Sequence, residues 1–212
     1  MFFSILLHNC KNIISSPAGI VNQAVFLVIL LSIFAFFGVE SPVIGYNLIW
    51  MSLLFAMMLN MNEIFADDFN DGSLQQLYLT GYMFEIAVLA KILANWLVYF
   101  LAMLILMPII FLMFTIDFNL LNKFVLIFIL ASLIISFVLA FAASVNLSAR
   151  ESNFLPMIII LPLILPLLIF ANNALVDLEN FNWYFLLILA ILAFLAPIFV
   201  VTITYILKIN FQ

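Results

Sequence analysis

Apolar runs of roughly 20 residues, the length that crosses a bilayer as a helix, alternate along this chain with short polar breaks. Residues 1–16 show a different pattern. Phe3, Leu6, Leu7, Cys10 and Ile14 repeat at helical period on one side, with Ser4, His8, Lys11 and Ser15 on the other. This predicts an amphipathic helix lying in the membrane interface and ended by Ser16-Pro17. Spans are predicted over 20–38, 44–62, 92–114, 123–145, 154–171 and 183–206, with a tight turn at Glu40, Ser41 and Pro42.

The polar run EIFADDFNDGSLQQLYLTG, 63–81, interrupts this apolar background and is expected outside the hydrocarbon. Asp71-Gly72-Ser73 reads as a turn. Ser73 or Asp71 is placed to cap a helix over 74–79, with Gln76 three positions beyond Ser73 as in a capping box. That helix offers Leu74, Leu77 and Tyr78 at adjacent-turn spacing, beside Gln75 and Gln76. The apolar stretch 82–114 exceeds one crossing, so 82–91 is predicted to lie flat at the interface, with Glu85 and Lys91 marking its depth and Lys91 snorkelling to the headgroups.

Connectors follow at 115–122, at 146–153 with Arg150 and Glu151, and at 172–182, where a short interfacial helix is expected ahead of Trp183 and Tyr184. Pro156, Pro162 and Pro166 predict a kink or break in the fifth span, which would serve either as a gate or as a static packing feature. Six spans bring both termini to one side. Lys11, Lys91, Arg150 and Lys208 share that side and Lys123 faces the other, so the positive-inside rule assigns the termini to the cytoplasm.

Composition narrows the function. In 212 residues, 69% are hydrophobic and 7% charged, with a mean hydropathy of +1.41, which leaves too little polar surface for an aqueous domain. The expected fold is all-α: one polytopic integral membrane domain over 1–212, with an interfacial helix at 1–16 and a cytoplasmic loop, coupling helix and interfacial segment at 63–91. Five Lys and Arg residues form no basic patch for nucleic acid. Cys10 has no cysteine partner and His8 no histidine partner, so neither a disulfide framework nor a metal cluster is expected. Residues 1–16 lack the features of a cleaved signal peptide. Without a Walker-type lysine loop, any ATP dependence must come from a partner, and no enzymatic activity is expected here.

Asp67, Asp68 and Asp71 admit three readings: paired catalytic carboxylates, a solvated acidic loop or a docking surface. Docking is favoured because the acids flank a short helix carrying apolar residues, whereas a polar turn gives little reason for separated pKa values. The 25 phenylalanines are read as core or lipid-facing residues and not as evidence for haem.

The segment FADDFNDGSLQQLYLTG closely resembles the cytoplasmic loop of the CcmB family, with the DDxxDGSLxQL pattern unbroken at Asp67, Asp68, Asp71, Gly72, Ser73, Leu74, Gln76 and Leu77. LPMIIILPLILPLLIFA, 155–171, resembles the family too, and the length and order of spans agree with it. The resemblance implies the permease subunit of the ABC complex in system I cytochrome c maturation. Partners would be a CcmA-like ATPase, CcmC-like and CcmD-like membrane proteins and, indirectly, a CcmE-like haem chaperone, in a bacterial inner membrane rather than a mitochondrial one. Haem would be the handled substrate and ATP would bind the partner; no cofactor is assigned to the chain itself. The role implied is either haem export or coupling of ATP hydrolysis to release of haem-loaded chaperone. A non-transporting assembly subunit is the alternative. An ion-coupled secondary transporter is disfavoured by the scarcity of mid-span charges. A six-span permease half also calls for a second half, supplied by a homodimer or another membrane subunit.

Overall fold

The computed structural model describes residues 2–38, 42–79, 83–114, 116–149 and 155–211. Its described elements are helical: α1 (Phe2–Ser15), α2 (Ala18–Phe36), α3 (Pro42–Leu59), α4 (Glu63–Asn70), α5 (Ser73–Leu79), α6 (Phe84–Met113), α7 (Leu121–Ala149), α8 (Leu155–Val176) and α9 (Phe181–Ile209), with a 3-10 turn at Phe118–Leu120. Glu40, Ser41, Gly81, Tyr82, Thr115, Arg150 and Glu151, which figured in the expected turns and connectors, lie outside the described residues.

Among the described residues, five stretches are long and apolar enough to cross a membrane: Ala18–Phe36, Val43–Asn70, Phe84–Met113, Phe118–Leu147 and Phe181–Ile209. The chain is therefore an all-α polytopic membrane protein. α8 joins the same bundle, with a shorter apolar part at Ile160–Val176.

Long-range contacts fix the directions. Asn60 at the end of α3 reaches the Gly19 carbonyl at the start of α2. Lys208 near the end of α9 meets Glu85 in the first turn of α6. At the opposite pole, Lys123 lies over the Phe181 ring, 5.2 Å from its centroid, joining the starts of α7 and α9. Both ends of the described chain and the α4–α5 segment thus gather at one pole.

α7 is the axis of the bundle. In its most apolar 18 residues 72% are buried, against 22% in the corresponding windows of Ala18–Phe36 and Phe181–Ile209. Buried Ala131, Ala140, Ala142 and Ala143, with Ser132, Ser136 and Ser144, let neighbouring helices approach its backbone. Towards the Lys123 pole the core is aromatic. Trp50 stacks on Phe124 at 5.4 Å, Phe111 meets Phe124 edge-on at 5.3 Å, and Phe100 tilts against Phe128 at 5.1 Å.

Several boundaries differ from the expected ones. α6 is a single helix of 30 residues, with no interfacial break before Lys91. No glycine or proline occurs between Phe84 and Met107, so nothing interrupts the hydrogen-bond ladder over that length, and Pro108, which lacks a donor, comes only near the far end. At 1.5 Å per residue it is about 45 Å long and outreaches a hydrocarbon core of about 30 Å, so its first turns project from the membrane or the helix tilts.

α7 likewise continues past Val145 to Ala149. α8 runs to Val176 through Asn172 and Asn173, so its connector to α9 is only Asp177–Asn180, without an interfacial helix. Asp177 closes that turn by accepting from the Asn180 amide at 3.3 Å and its side chain at 2.9 Å. α8 is not broken at its prolines. Pro162 and Pro166 both lie inside the helix and on its exposed side, where the missing donors disturb no packing, and Pro156 belongs to the first turn.

α1 divides into three sectors around its axis. Ile5, Asn9, Cys10 and Ile13 are half-buried on the side towards α6, where the Cys10 thiol points at the Ala94 carbonyl, 3.9 Å away. Phe3, Leu7 and Ile14 form an exposed apolar strip, and Lys11, Ser4, Ser15 and His8 an exposed polar one. The apolar side expected from the sequence is therefore split between protein and surroundings.

Candidate functional site: the α4–α5 elbow

The polar run beyond α3 folds into two short helices joined by a reversal. α4, Glu63–Asn70, was not anticipated: the acids that read as loop are helical. Its apolar positions Ile64 and Phe65 are 4% and 0% exposed, and this inward face holds the segment against the bundle. Asp71 ends α4, and Gly72 takes φ +77°, the left-handed conformation that favours glycine at a helix C-terminus.

α5 begins at once, coinciding with the expected helix. Its cap is Asp71, whose Oδ1 accepts the Ser73 amide at 2.8 Å; Ser73 Oγ donates back to the Asp68 carbonyl at 3.3 Å and does not form the capping box with Gln76. The Ser73 amide above all, with the nearby Ser73 hydroxyl, holds the Asp71 carboxyl below its ordinary range.

The ten loop residues singled out from the sequence do not share one surface. Leu74 is 2% exposed and belongs to the core, while Leu77 and Tyr78 are half-buried. Asp67, Asp71, Gln75 and Gln76 face outward, joined by Asn70 and by Leu79, which is 73% exposed. Asp68 turns inward to an ion pair with Lys91 of α6, the two side chains being 25% and 14% exposed. Lys91 is thus bound to the loop and does not snorkel away from it.

Three further attachments were invisible to local pattern. Phe211 lies among Phe69, Tyr78 and Phe84, with ring centroids 5.8 to 6.1 Å away. Beside it, Lys208 Nζ donates to Glu85 Oε1 at 2.8 Å, so the end of α9 grips both α5 and α6. The third is a polar junction beneath α4. Asn60 Nδ2 donates to the Gly19 carbonyl at 2.8 Å and to Gln23 Oε1 at 3.4 Å, and Gln23 Nε2 reaches Met103 Sδ at 3.5 Å. Tyr99 and Glu63 close on Gly19 so tightly that a Cβ there would sit 2.6 Å from Tyr99 Oη and 2.9 Å from Glu63 Oε2.

Between α1 and the elbow runs a cleft of about 490 Å³ whose lining includes Ser4, His8, Asn12, Asp71, Gln76 and Lys91. Its acids are already engaged. Asp68 is neutralised by Lys91, Asp71 is occupied with the turn, and no group of three His, Cys, Asp or Glu among the described residues is placed to hold a metal ion.

An apolar bundle of long helices with a polar elbow at one pole defines a polytopic membrane protein of the all-α class. Comparison with known sequences makes the assignment specific. The pattern of the CcmB protein family matches residues 1–208, and the chain belongs to that family. It is 39% identical over 178 residues to heme exporter protein B of Escherichia coli (strain K12), covering 82% of this chain and 81% of that one. Heme exporter protein B of Haemophilus influenzae is 28% identical over 179 residues, with the same coverage. The Pseudomonas aeruginosa protein of that name is 35% identical over 100 residues, an alignment spanning 45% of each chain.

Proposed function

We propose that this chain is the membrane permease subunit of an ATP-driven haem-handling complex for c-type cytochrome maturation. Membership of the CcmB family and the names of its relatives support haem as the substrate handled. On this reading α2, α3, α6, α7, α8 and α9 are six crossings and the elbow and both termini are cytoplasmic in a bacterial inner membrane; what supports it is the positive-inside pattern of the sequence, with Lys11, Lys91, Arg150 and Lys208 on one side and Lys123 on the other. α1 lies in that membrane surface.

The elbow is the ATPase-docking site. The observation that carries this reading is its two-sidedness: Phe65 and Leu74 are sunk in the bundle, while Asp67, Asp71, Gln75, Gln76 and Leu79 face outward around a helix. Such a part can hold a partner and remain attached to the spans. A CcmA-like subunit supplies hydrolysis. Docking that differs in free energy between its open and closed states converts the cycle into movement of the bundle. CcmC-like and CcmD-like proteins, and a second copy of the chain, are the membrane neighbours for the apolar faces of α2 and α9, and a CcmE-like chaperone receives the haem. Pro162 and Pro166 are the candidate gate in α8.

Purification in mild detergent with crosslinkers at Gln75, Gln76 and Leu79 tests the docking claim. Capture of an ATP-hydrolysing subunit is expected. Its absence from all three positions, in membranes where c-type cytochromes mature, overturns the assignment.

A further inference from the structure

The elbow is attached to the spans in two physically different ways. Ile64, Phe65 and Leu74 are buried apolar anchors, whose grip depends on area and has no direction. The Asp68–Lys91 pair is directional, and its members stand on different elements, α4 and α6. Asp67 and Glu63 of α4 and Asn9 and Asn12 of α1 line the smaller cleft of about 130 Å³ that both partners border. The pair therefore sits where three elements meet.

An ion pair in such a place is sensitive to small displacements. Closed and half-dry, the two charges lean on each other: removing Lys91 leaves Asp68 unpaired, while removing Asp68 leaves Lys91 with Asp67 of the same cleft as its remaining neighbour of opposite charge. Drawn apart and hydrated, the same two charges attract only weakly. A junction able to open and close in this way would have two arrangements of different energy, which any load on the elbow would bias.

We propose that the Asp68–Lys91 ion pair is the joint through which movement of the elbow is passed to α6, so that Asp68 and Lys91 are positioning residues for coupling and not contacts for the docked partner. The inference rests on the docking reading above, and its test separates the two. Lys91 lies on the spans and outside the docking surface. Asp68 belongs to the loop by sequence but faces away from the exposed side of the elbow.

The experiment uses the full chain in its complex, with Lys91→Met, Asp68→Asn and the exchanged pair Asp68→Lys with Lys91→Asp. In either single variant the ATPase is expected to co-purify and hydrolyse ATP, while the ATP consumed per c-type cytochrome matured rises at least about fivefold, the lower end of ordinary coupling factors. The exchanged pair restores attraction with reversed sign and brings this ratio back towards the parent value. A ratio unchanged in the singles, an exchanged pair no better than they are, or loss of the ATPase from Lys91→Met each overturns the proposal.

Hydrogen exchange of the chain alone gives a readout independent of any partner. Backbone amides of 63–79 exchange faster in both singles and recover in the exchanged pair; no difference removes the joint even where docking stands. Failure of the parent chain to capture an ATPase, with the exchange result intact, counts against docking alone. Membrane yield of the exchanged pair identifies singles that merely fail to fold.

Discussion

The ring of Phe211 stacks on that of Tyr78, with centroids 5.8 Å apart and planes at 28°. The end of α9 is thereby joined to the outermost helix of the elbow, across most of the chain. Each aromatic contact of this kind contributes about 0.5–1.5 kcal/mol beyond area burial. Phe211→Ser is expected to loosen α5 without affecting insertion, whereas Phe211→Tyr preserves it. Limited proteolysis in detergent should cut the serine variant first within 73–84; equal cutting of parent and variant would remove the structural role.

A methyl group at position 19 must displace Tyr99 Oη and Glu63 Oε2; the exposed Glu63 can swing aside, whereas the buried Tyr99 ring has to shift as a unit. Gly19→Ala should destabilise the chain by about 1–3 kcal/mol, the ordinary cost of overpacking. Tyr99→Phe in the same chain removes the nearer atom and should recover part of the loss. Thermal midpoints from fluorescence-detected size exclusion would order the three proteins.

Leu79 and Leu74 occupy one short helix but face opposite ways. Leu79→Asp is expected to leave yield and thermal midpoint unchanged while abolishing ATPase capture. Leu74→Asp buries an unpaired charge and should collapse the elbow itself. Between them, Leu77→Asp and charge reversal at Asp71 should uncouple ATP turnover from cytochrome maturation with little loss of insertion. Normal co-purification and normal cytochrome levels in both would contradict the docking surface.

The Asp71 turn also carries a pH signature. Its carboxyl is held below the ordinary value by Ser73, so the stabilisation it gives is complete above the free carboxyl's range and is lost as pH falls through the lowered value. Protection of the Ser73 amide, corrected for intrinsic exchange, should therefore be flat across neutral pH and fall only in strong acid. In Asp71→Asn that acid-dependent step should vanish.

Pro162 and Pro166 lie on the exposed side of an unbroken helix. Replacing both with alanine returns two backbone donors and should raise thermal stability, since proline is the poorest residue in a helix interior. Cytochrome maturation is expected to fall if yield holds, because a stiffened α8 no longer gates. Full maturation with raised stability would make the prolines packing features only.

How much of this was legible beforehand follows the range of the signal. The Asp71-Gly72 reversal and α5 are local, written in neighbouring residues, and they stand where the sequence puts them. The long apolar helices are legible for the same reason. α4 was obscured because Asp67, Asp68 and Asn70 read as loop, although Ile64 and Phe65 already carried its buried face. Lys91 was misread because a lone cation near a membrane edge has a default reading, and the carboxylate that changes it stands on another helix. Nothing near Phe211 hints at Phe69, Tyr78 or Phe84.

The three-sectored α1 has one further implication on the proposed placement. A helix with one flank on protein, a second in acyl chains and a third in solvent is satisfied at a single height relative to the bilayer. Since it lies along α6, that height also decides how much of α6 stands clear of the lipid, and with it how far Lys91 and the elbow rise above the headgroups. A thicker or thinner membrane would shift this waterline, and the reach of the protein towards whatever it meets would shift with it.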